Sequence, residues 1–400
     1  MSWEQGIDVN NVSTIICGSR IFLGVGAIKK IDFIAEQMKA KGIGSVLVMT
    51  GKGAYEKTGA WAFVTKALDA NGIKYSLYNK VQPNPETHQV DEAVKQGRDA
   101  GAKAVICIGG GSPIDAGKSA AILLEYPDKN CTELYEMKFT PEKAVPIVAI
   151  NLTHGTGTEA NRFAVVTIPE KEYKPALASD CIYPWYSIDD PELMTGLPAN
   201  QTRYVSVDAV NHVVEAVSTI LNNPFAITLG KEVMALVAKY LPKAIDNPKD
   251  LTARYFLTYA ALIAGTSFDN GLLHFTHALE HPLSGVKPEV THGLGLAVLM
   301  PAVIKEIYPA VGHVMAEVLS PMVPGLKGDA SEADKAADGM RKWLNSVGIT
   351  EKMGDFGFTK EDVPKLVKLA HETPGLEGLL GCAPIKSDRA VVERIYMSSF

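Results

Sequence analysis

The sequence predicts an N-terminal α/β domain followed by an all-helical C-terminal domain, and two patterns support this. Short apolar runs alternate with amphipathic stretches through the first half of the chain, whereas the pattern is helical from about Leu197 onward. Buried strands that alternate with helices are typical of a parallel sheet covered on both faces. Turn residues at 189–191 and 196–198 mark the change. We therefore expect domains at 1–190 and 191–400, with a cleft between them.

Each element follows from a local pattern. Short runs that are mainly apolar or β-branched predict strands, and hydrophobic residues at helical spacing predict helices. The predicted strands are 45–50, 73–78, 104–108 and 146–150. The predicted helices are 55–70, 90–100, 200–220, 224–245 and 251–268, with more helices to the C-terminus.

The composition is that of an ordinary globular protein. The chain has 400 residues, enough for more than one core, with 46% hydrophobic and 21% charged residues. Its net charge of −6 argues against a nucleic-acid or anionic-membrane partner, because both require a basic surface. Five scattered cysteines are typical of reduced thiols, and the sequence contains neither a signal peptide nor an apolar run of about 18 residues. We expect a cytoplasmic protein without a membrane span.

A glycine-rich segment follows the predicted strand 104–108. It reads Gly109-Gly110-Gly111-Ser112-Pro113, and a helix is expected from Ser112 and Pro113 onward. Glycines allow backbone N–H groups to approach a phosphate, and a helix N-terminus favours an anion. The segment is neither a G-x-G-x-x-G fingerprint nor a Walker loop, and a plain tight turn is the alternative. With the alternating sheet before it, we interpret it as a pyrophosphate site for a dinucleotide.

A second polar loop, 151–159, follows the predicted strand 146–150. It contains Thr153, His154 and Thr156 together with two glycines, at the strand end where open α/β sheets bind ligands. The alternative is a helix N-terminus whose threonine hydroxyls are satisfied locally. We favour a binding loop.

Histidines and one aspartate recur at helical spacing in the second half. Asp208 and His212 are four residues apart, as are His277 and His281, and His292 follows in Thr291-His292-Gly293, where the glycine would let the backbone bend and aim the ring. A carboxylate with two or three imidazoles is a ligand set for Fe²⁺ or Zn²⁺. Chance i,i+4 pairs are the alternative for each pair alone. By periodicity alone, His274 is an equally good ligand.

Several motifs together resemble the iron-containing (group III) alcohol dehydrogenases over most of the chain. They are Pro83-Asn84-Pro85, the segment 109–118, Asp208-Ala209-x-x-His212-x-x-Glu215, His277-x-x-x-His281-Pro282-Leu283-x-Gly285 and Thr291-His292-Gly293. The resemblance implies an N-terminal domain that binds NAD or NADP and a helical domain with a divalent metal, Fe²⁺ with Zn²⁺ as an alternative. It also implies a homodimer or larger homo-oligomer.

The same resemblance implies roles for individual residues. The metal ligands would be Asp208, His212, His277 and His292. His281 would lie near the metal and the nicotinamide without being a ligand, and His274 would be a supporting or core residue. The cofactor contacts would be Gly110, Gly111, Ser112, Asp115, Thr153, Thr156 and Lys174.

The sequence departs from the family pattern at three positions. Gly51 and Lys52 stand where an aspartate often binds the adenosine ribose, which makes NADP possible without excluding NAD. His154 replaces a small residue, which suggests either a polar contact toward cofactor or substrate or a histidine on the loop rim. Ser206 replaces a common glycine before the Asp208 helix.

The leading functional hypothesis is a metal-dependent alcohol dehydrogenase or aldehyde reductase acting on a small primary alcohol or aldehyde. The metal would lower the pKa of the alcohol hydroxyl, hydride would pass to C4 of the nicotinamide, and His281 would pass the proton toward solvent. Alternatives are a reductase of a polar or anionic short aldehyde, a dehydroquinate-synthase-like lyase, and a non-catalytic metal- and nucleotide-binding sensor.

Overall fold

Parallel strands dominate one unit of the chain and helices dominate the other. The computed structural model describes residues 14–400. The first unit comprises Cys17–Leu197 and Pro248–Leu262, and the second comprises residues 14–16, Pro198–Asn247 and Ile263–Phe400. The parallel sheet of the N-terminal part and the helical C-terminal part confirm the predicted fold class.

Six parallel strands form the sheet of the first unit. They are β1 (Arg20–Leu23), β2 (Ser45–Thr50), β3 (Lys74–Tyr78), β4 (Val105–Gly109), β5 (Ile147–Asn151) and β8 (Tyr186–Asp189), in the order β1-β8-β5-β4-β2-β3. An antiparallel pair, β6 (Phe163–Val165) and β7 (Ala176–Ala178), lies outside this sheet. The chain thus extends from β2 to β3 on one side, whereas β4 pairs with the opposite edge of β2.

Both faces of the sheet are covered by helices. Side chains alternate between faces along a strand, so Leu47 and Met49 join one apolar cluster while Val46 and Val48 join the other. The first cluster is completed by α4 (Thr87–Asp99), α5 (Gly111–Glu125) and α6 (Cys131–Tyr135), and the second by α1 (Ile31–Ala40) and α3 (Ala60–Asn71). Continuous apolar strands are needed because neither face meets water.

The structure corrects three details of the sequence prediction for this unit. The helix expected at 55–70 is two helices, α2 (Ala54–Lys57) and α3, because Gly59 between them has a φ of +82° that a continuous helix does not allow. Strands β1 and β8 and the β6–β7 pair were not predicted. β8 extends to Asp189, a position that the turn pattern had placed in a linker.

The second unit is helical. Its helices are α7 (Ala199–Ala216), α8 (Pro224–Asp246), α10 (Phe275–Val286), α11 (His292–Val318), α12 (Ala333–Ser346), α13 (Val363–Glu372), α14 (Leu376–Gly381) and α15 (Arg389–Met397). The helix α9 (Leu251–Gly271) contributes residues to both units.

Helix α11 is long and apolar enough to cross a membrane, and it is the one such helix within residues 14–400. Its most apolar window has a mean hydropathy of 1.6, but 72% of that window is buried inside the protein. A central core helix of a globular protein has these same properties.

Candidate active site

Helix α7 presents the first pair of predicted ligands. Asp208 and His212 lie one turn apart and both are buried. Asp208 Oδ1 is 3.4 Å from His212 Nε2. The His212 ring stacks on Phe268 and His277, with ring centroids 4.4 and 4.7 Å apart. The i,i+4 spacing therefore places both side chains on one helix face, as predicted.

Two more imidazoles reach Asp208 from other helices. His277 lies in the first turn of α10, and His292 is the first residue of α11. Their Nε2 atoms are 3.6 and 3.9 Å from Asp208 Oδ1. The structure thus brings together all four residues that the resemblance assigned as ligands. We call Asp208, His212, His277 and His292 the metal cluster.

The geometry of the metal cluster fits a divalent ion. Ligand atoms about 2.1 Å from a tetrahedral metal lie about 3.4 Å from one another, which is close to the separations around Asp208 Oδ1. Asp208 Oδ1 and His277 Nε2 are buried and make no hydrogen bond within the described chain. Buried polar atoms without partners are costly. A cation that these atoms share would remove that cost.

The glycine after His292 has a different role from the one expected. The sequence suggested that Gly293 lets the backbone bend, but it lies within the regular first turn of α11. A Cβ at Gly293 would collide with the carbonyl oxygen of Tyr204 in α7. This glycine therefore allows two helices that carry ligands to approach each other closely.

A buried carboxylate supports His277 from behind. Glu215 Oε2 contacts His277 Nδ1, and its Oε1 accepts hydrogen bonds from the backbone N–H groups of His274 (3.0 Å) and Thr276 (2.8 Å). A carboxylate on the outer nitrogen fixes the ring and the tautomer of a metal-binding histidine. The sequence motif contained Glu215 but did not reveal this function.

The charges of the cluster shift its pKa values in opposite directions. Burial alone would raise the pKa of Asp208, but the imidazoles of His212 and His277 hold it well below its ordinary value. Burial lowers the pKa of His277, but the carboxylates of Glu215 and Asp208 outweigh burial and raise it to about 9. Burial lowers the pKa of His212 to about 4. The concentrated negative charge that retains a proton on His277 would equally attract a divalent cation.

A second group of possible ligand atoms overlaps the first. Glu280, His281 and His292 also place ligand atoms within 4.8 Å of one another. Glu280 is fully buried, and its Oε2 contacts His292 Nδ1. The sequence reasoning assigned Glu280 no role, although its position between His277 and His281 on one helix was visible.

The two remaining histidines of this region differ in their surroundings. His281 is buried, with its ring centroid 6.4 Å from that of His277 and 5.7 Å from that of His292. His274 precedes α10, where its Nδ1 accepts a hydrogen bond from the Phe275 N–H (2.7 Å) and its Nε2 bonds Ser218 Oγ (2.9 Å). Because both nitrogens of His274 have partners, this side chain has no free ligand atom.

The glycine loop, residues 109–112, packs against the threonine loop, residues 151–159. A Cβ at Gly110 would lie 2.8 Å from Thr153 Oγ1, and a Cβ at Gly111 would lie 2.7 Å from Thr156 Cγ2. Helix α5 begins at Gly111, one residue before the predicted Ser112. The two polar loops predicted to bind the cofactor are therefore neighbours, and only glycines fit where they meet.

Polar side chains behind these loops satisfy one another. The fully buried Lys118 donates from Nζ to Thr158 Oγ1 (2.8 Å) and to the carbonyl oxygens of Asn161 (2.9 Å) and Phe163 (2.7 Å). Asp115 Oδ1 accepts from Thr158 Oγ1 (2.7 Å). Burial raises the pKa of Asp115 to about 6, despite the nearby Lys118. Lys118 is thus a buried structural residue whose ammonium group holds the two loops' supporting segments together, a role that the sequence analysis did not predict.

The other predicted cofactor residues lie in the same unit. Gly51 follows the carboxyl end of β2, where a Cβ would lie 3.3 Å from the carbonyl oxygen of Val81. Ser112 is in the first turn of α5 and is half-buried, and Lys174 is buried.

The structure contradicts both expectations for His154. It is neither on the rim nor available to a ligand, because it is fully buried and its Nε2 accepts a hydrogen bond of 2.8 Å from Arg254 Nη1. Burial, together with the guanidinium, lowers the pKa of His154 to about 3, so the ring is neutral. The pairing joins residues 100 positions apart, which no local pattern indicates.

Both halves of the chain match models of the same protein family. Residues 18–191 match the model of "iron-containing alcohol dehydrogenase" and residues 202–400 match that of "Fe-containing alcohol dehydrogenase family, C-terminal". The chain belongs to the iron-containing alcohol dehydrogenase family.

Individual relatives of this iron-containing alcohol dehydrogenase agree. It is 58% identical, over all of both chains, to the long-chain primary alcohol dehydrogenase AdhA of Thermoanaerobacter ethanolicus. It is 31% identical to the NAD-dependent methanol dehydrogenase of Bacillus methanolicus, over 88% of this chain and 91% of that protein. The structure superposes on the NADH-dependent butanol dehydrogenase A of Thermotoga maritima with a TM-score of 0.88, at 28% identity over 97% of this chain and 98% of that one.

Family membership confirms the central functional predictions. The protein is an oxidoreductase that acts on alcohols, with a nicotinamide dinucleotide and iron as cofactors. The lyase and sensor alternatives are thereby replaced by alcohol dehydrogenase activity.

Proposed function

We propose that the metal cluster holds the catalytic iron and that the enzyme interconverts primary alcohols and aldehydes with alkyl chains longer than ethanol's. The observation that carries the site assignment is the convergence of three imidazole Nε2 atoms on Asp208 Oδ1, at 3.4 to 3.9 Å. The relative that is 58% identical acts on long-chain primary alcohols, which supports the substrate class.

The chemistry follows from the donor set. A divalent iron held by Asp208, His212, His277 and His292 would lower the pKa of an alcohol hydroxyl and, in the reverse direction, polarise an aldehyde carbonyl. Glu215 fixes the orientation of His277. His281, buried within 6.4 Å of the His277 ring, accepts the proton that the alcohol releases. The nicotinamide of a bound dinucleotide would supply the hydride acceptor and, in the reverse direction, the hydride donor.

The glycine and threonine loops bind the dinucleotide in this proposal. Ligands of open α/β sheets bind beyond the carboxyl ends of the strands, where the strand order reverses. In this sheet the reversal lies between β2 and β4, which end at Gly51 and at the glycine loop. The N–H groups that begin α5 would face the pyrophosphate. The proposed contacts are Gly51, Gly110, Gly111, Ser112, Asp115, Thr153, Thr156 and Lys174.

The absence of an acidic side chain at residue 51 favours binding of both NADH and NADPH. Gly51 places no carboxylate at the end of β2, and the neighbouring Lys52 is exposed. A 2′-phosphate would therefore meet no negative charge there. We propose that NADPH is accepted alongside NADH.

The surroundings of His154 argue against a polar or anionic aldehyde as the substrate. That alternative depended on His154 contacting the substrate, and the side chain is instead buried against Arg254. An apolar alkyl chain needs no such partner.

The remaining part of the proposal concerns the assembly and its cellular setting. The substrate is a small-molecule alcohol, and we propose that the chain acts on it as a homodimer or larger homo-oligomer in the cytoplasm, without nucleic acid or membrane. None of its five cysteines forms a disulfide, which suits a reducing compartment. Light scattering after size exclusion would measure the oligomer directly.

Turnover measurements test the proposed function. Iron-loaded protein would be assayed with a series of straight-chain primary alcohols from methanol to decanol and with the matching aldehydes, using each cofactor. We expect net formation of reduced cofactor, kcat/KM that rises with chain length, and loss of activity after chelation. Highest kcat/KM for methanol would refute the substrate class, and activity that survives complete metal removal would refute the proposed site.

A further inference from the structure

Glu280 occupies a fully buried position directly behind the metal cluster. It lies on α10, one turn after His277, and its Oε2 contacts the outer nitrogen, Nδ1, of His292. The contact joins two different helices, because His292 begins α11.

A glycine in helix α11 leaves space for the Glu280 carboxylate. Gly295 lies one turn after Thr291, and a Cβ there would come within 2.8 Å of Glu280 Cγ and 3.1 Å of Glu280 Oε1. Any larger residue at 295 would displace the Glu280 side chain. The buried carboxylate of Glu280 therefore fits into a space that the glycine of helix α11 leaves for it.

The geometry separates Glu280 from the ligands themselves. The two nitrogens of an imidazole point in different directions. His292 directs Nδ1 to Glu280, while its Nε2 lies 3.9 Å from Asp208 Oδ1. Glu280 therefore contacts the side of the ring that faces away from the Asp208 carboxylate.

His292 needs such an anchor more than the other ligands do. Its side chain is 26% exposed, against 3 to 5% for the other three members of the metal cluster. It is also the first residue of α11.

We propose that Glu280 is a positioning residue that holds His292 in its metal-binding orientation and tautomer, as Glu215 does for His277. The inference rests on the ligand set proposed above. Carboxylates in this role typically contribute 10- to 100-fold in metal affinity. The same pair of carboxylates also adds negative charge around the cation.

The experiment measures metal affinity independently of turnover. Co²⁺ binding would be titrated against a chelator in the wild type and in Glu280→Ala, Glu280→Gln and Glu289→Ala, and the visible absorption of bound Co²⁺ would be recorded. We expect Glu280→Ala to weaken binding about 10- to 100-fold and to change the spectrum. Glu280→Gln should recover part of the affinity because its amide oxygen can still accept from Nδ1–H. Glu289 is an exposed carboxylate in the turn before α11, and its loss should have no effect.

A double-mutant cycle with His292→Ala identifies how Glu280 acts. If it acts through His292, then Glu280→Ala should weaken Co²⁺ binding little further once His292 is absent. Equal additional loss in the double variant would show that Glu280 acts independently of His292 and would overturn the inference. Wild-type affinity and spectrum in both Glu280 variants would also overturn it.

Failure of the inference differs from failure of the ligand set. If His292→Ala loses affinity while the Glu280 variants do not, then only the positioning role is wrong. If His292→Ala binds Co²⁺ as the wild type does, the proposed ligand set is wrong. Circular dichroism and the thermal unfolding temperature report whether each variant folds, and the isosteric Glu280→Gln keeps the test available if Glu280→Ala does not.

Discussion

The metal cluster and the nucleotide loops use buried polar groups in opposite ways. In the metal cluster, Asp208 Oδ1 and His277 Nε2 face one another without hydrogen bonds, and carboxylates hold the rings from behind. Behind the glycine and threonine loops, Lys118, Asp115 and Thr158 satisfy each other. The metal cluster thus leaves two buried ligand atoms without a hydrogen bond within the described chain. The three side chains behind the loops hydrogen-bond with one another, and only the buried Glu159 carboxylate of the threonine loop has no such partner within that loop.

Because of this difference, we expect substitutions to affect the two sites in different ways. In the proposed function, each member of the metal cluster would supply one ligand to the metal. The loops instead depend on close packing and on a buried hydrogen-bond network. Substitutions there should therefore lower the free energy of unfolding and the affinity for the cofactor. The predictions below test this contrast in order of expected effect.

The largest effect is expected from His277→Ala. The variant should lose its metal and about 10³-fold or more in turnover, because the several kcal/mol of charge stabilisation that a metal supplies would be absent. Elemental analysis and steady-state kinetics measure both. Binding of reduced cofactor, followed by fluorescence, should change little. A variant that retains one metal per chain would show that His277 is not a ligand.

The second effect concerns Lys118, the buried lysine behind the glycine and threonine loops. Lys118→Met should lower the free energy of unfolding by about 3 to 5 kcal/mol, because it leaves buried oxygens and the Asp115 carboxylate without their cation. Urea unfolding measures this, with the exposed Lys103→Met as the control. Cofactor affinity should fall while metal content in the folded fraction stays unchanged. Wild-type stability would mean that water or another cation replaces Lys118 readily.

The third effect concerns proton transfer. His281→Gln should keep the metal but lower kcat about 10²-fold, or somewhat less where water substitutes, and should flatten the dependence of kcat on pH. Metal analysis run in parallel is essential to the interpretation. Loss of the metal would make His281 a ligand, and an unchanged kcat and pH profile would make it a packing residue.

The smallest effect concerns cofactor choice. Gly51→Asp should shift the ratio of kcat/KM for NADPH over NADH about fivefold toward NADH, since a like charge about 4 Å from the 2′-phosphate costs about 1 kcal/mol in water. Gly51→Ala is the matched control, because it introduces the Cβ near Val81 without the charge. Equal ratios in all three proteins would place residue 51 away from the ribose.

The parts of the structure that the sequence predicted depend on local periodicity. Asp208 and His212 share a helix face because they are one turn apart. β4 is apolar throughout, and β2 is apolar between its first and last residues. By contrast, β8 carries Ser187 and Asp189, whose polarity hides a buried strand. Ser187 Oγ donates to the carbonyl oxygen of Glu159, and Asp189 Oδ1 accepts from Asn151 Nδ2. Such partners are far away in the chain.

The supporting contacts of the site were invisible for the same reason. Glu280 meets His292 only because α10 and α11 pack together, and His154 meets Arg254 only because a helix returns to the sheet unit. Sequence spacing can propose ligands, but it cannot show which carboxylate lies behind which ring.

Anomalous X-ray scattering at the iron edge, from crystals of the iron-loaded protein, tests the central claim most directly. We predict one peak within coordination distance of Asp208 Oδ1 and of Nε2 of His212, His277 and His292, with Glu280 on the far side of His292. A peak bound instead by Glu280 and His281 would contradict the proposed ligand set.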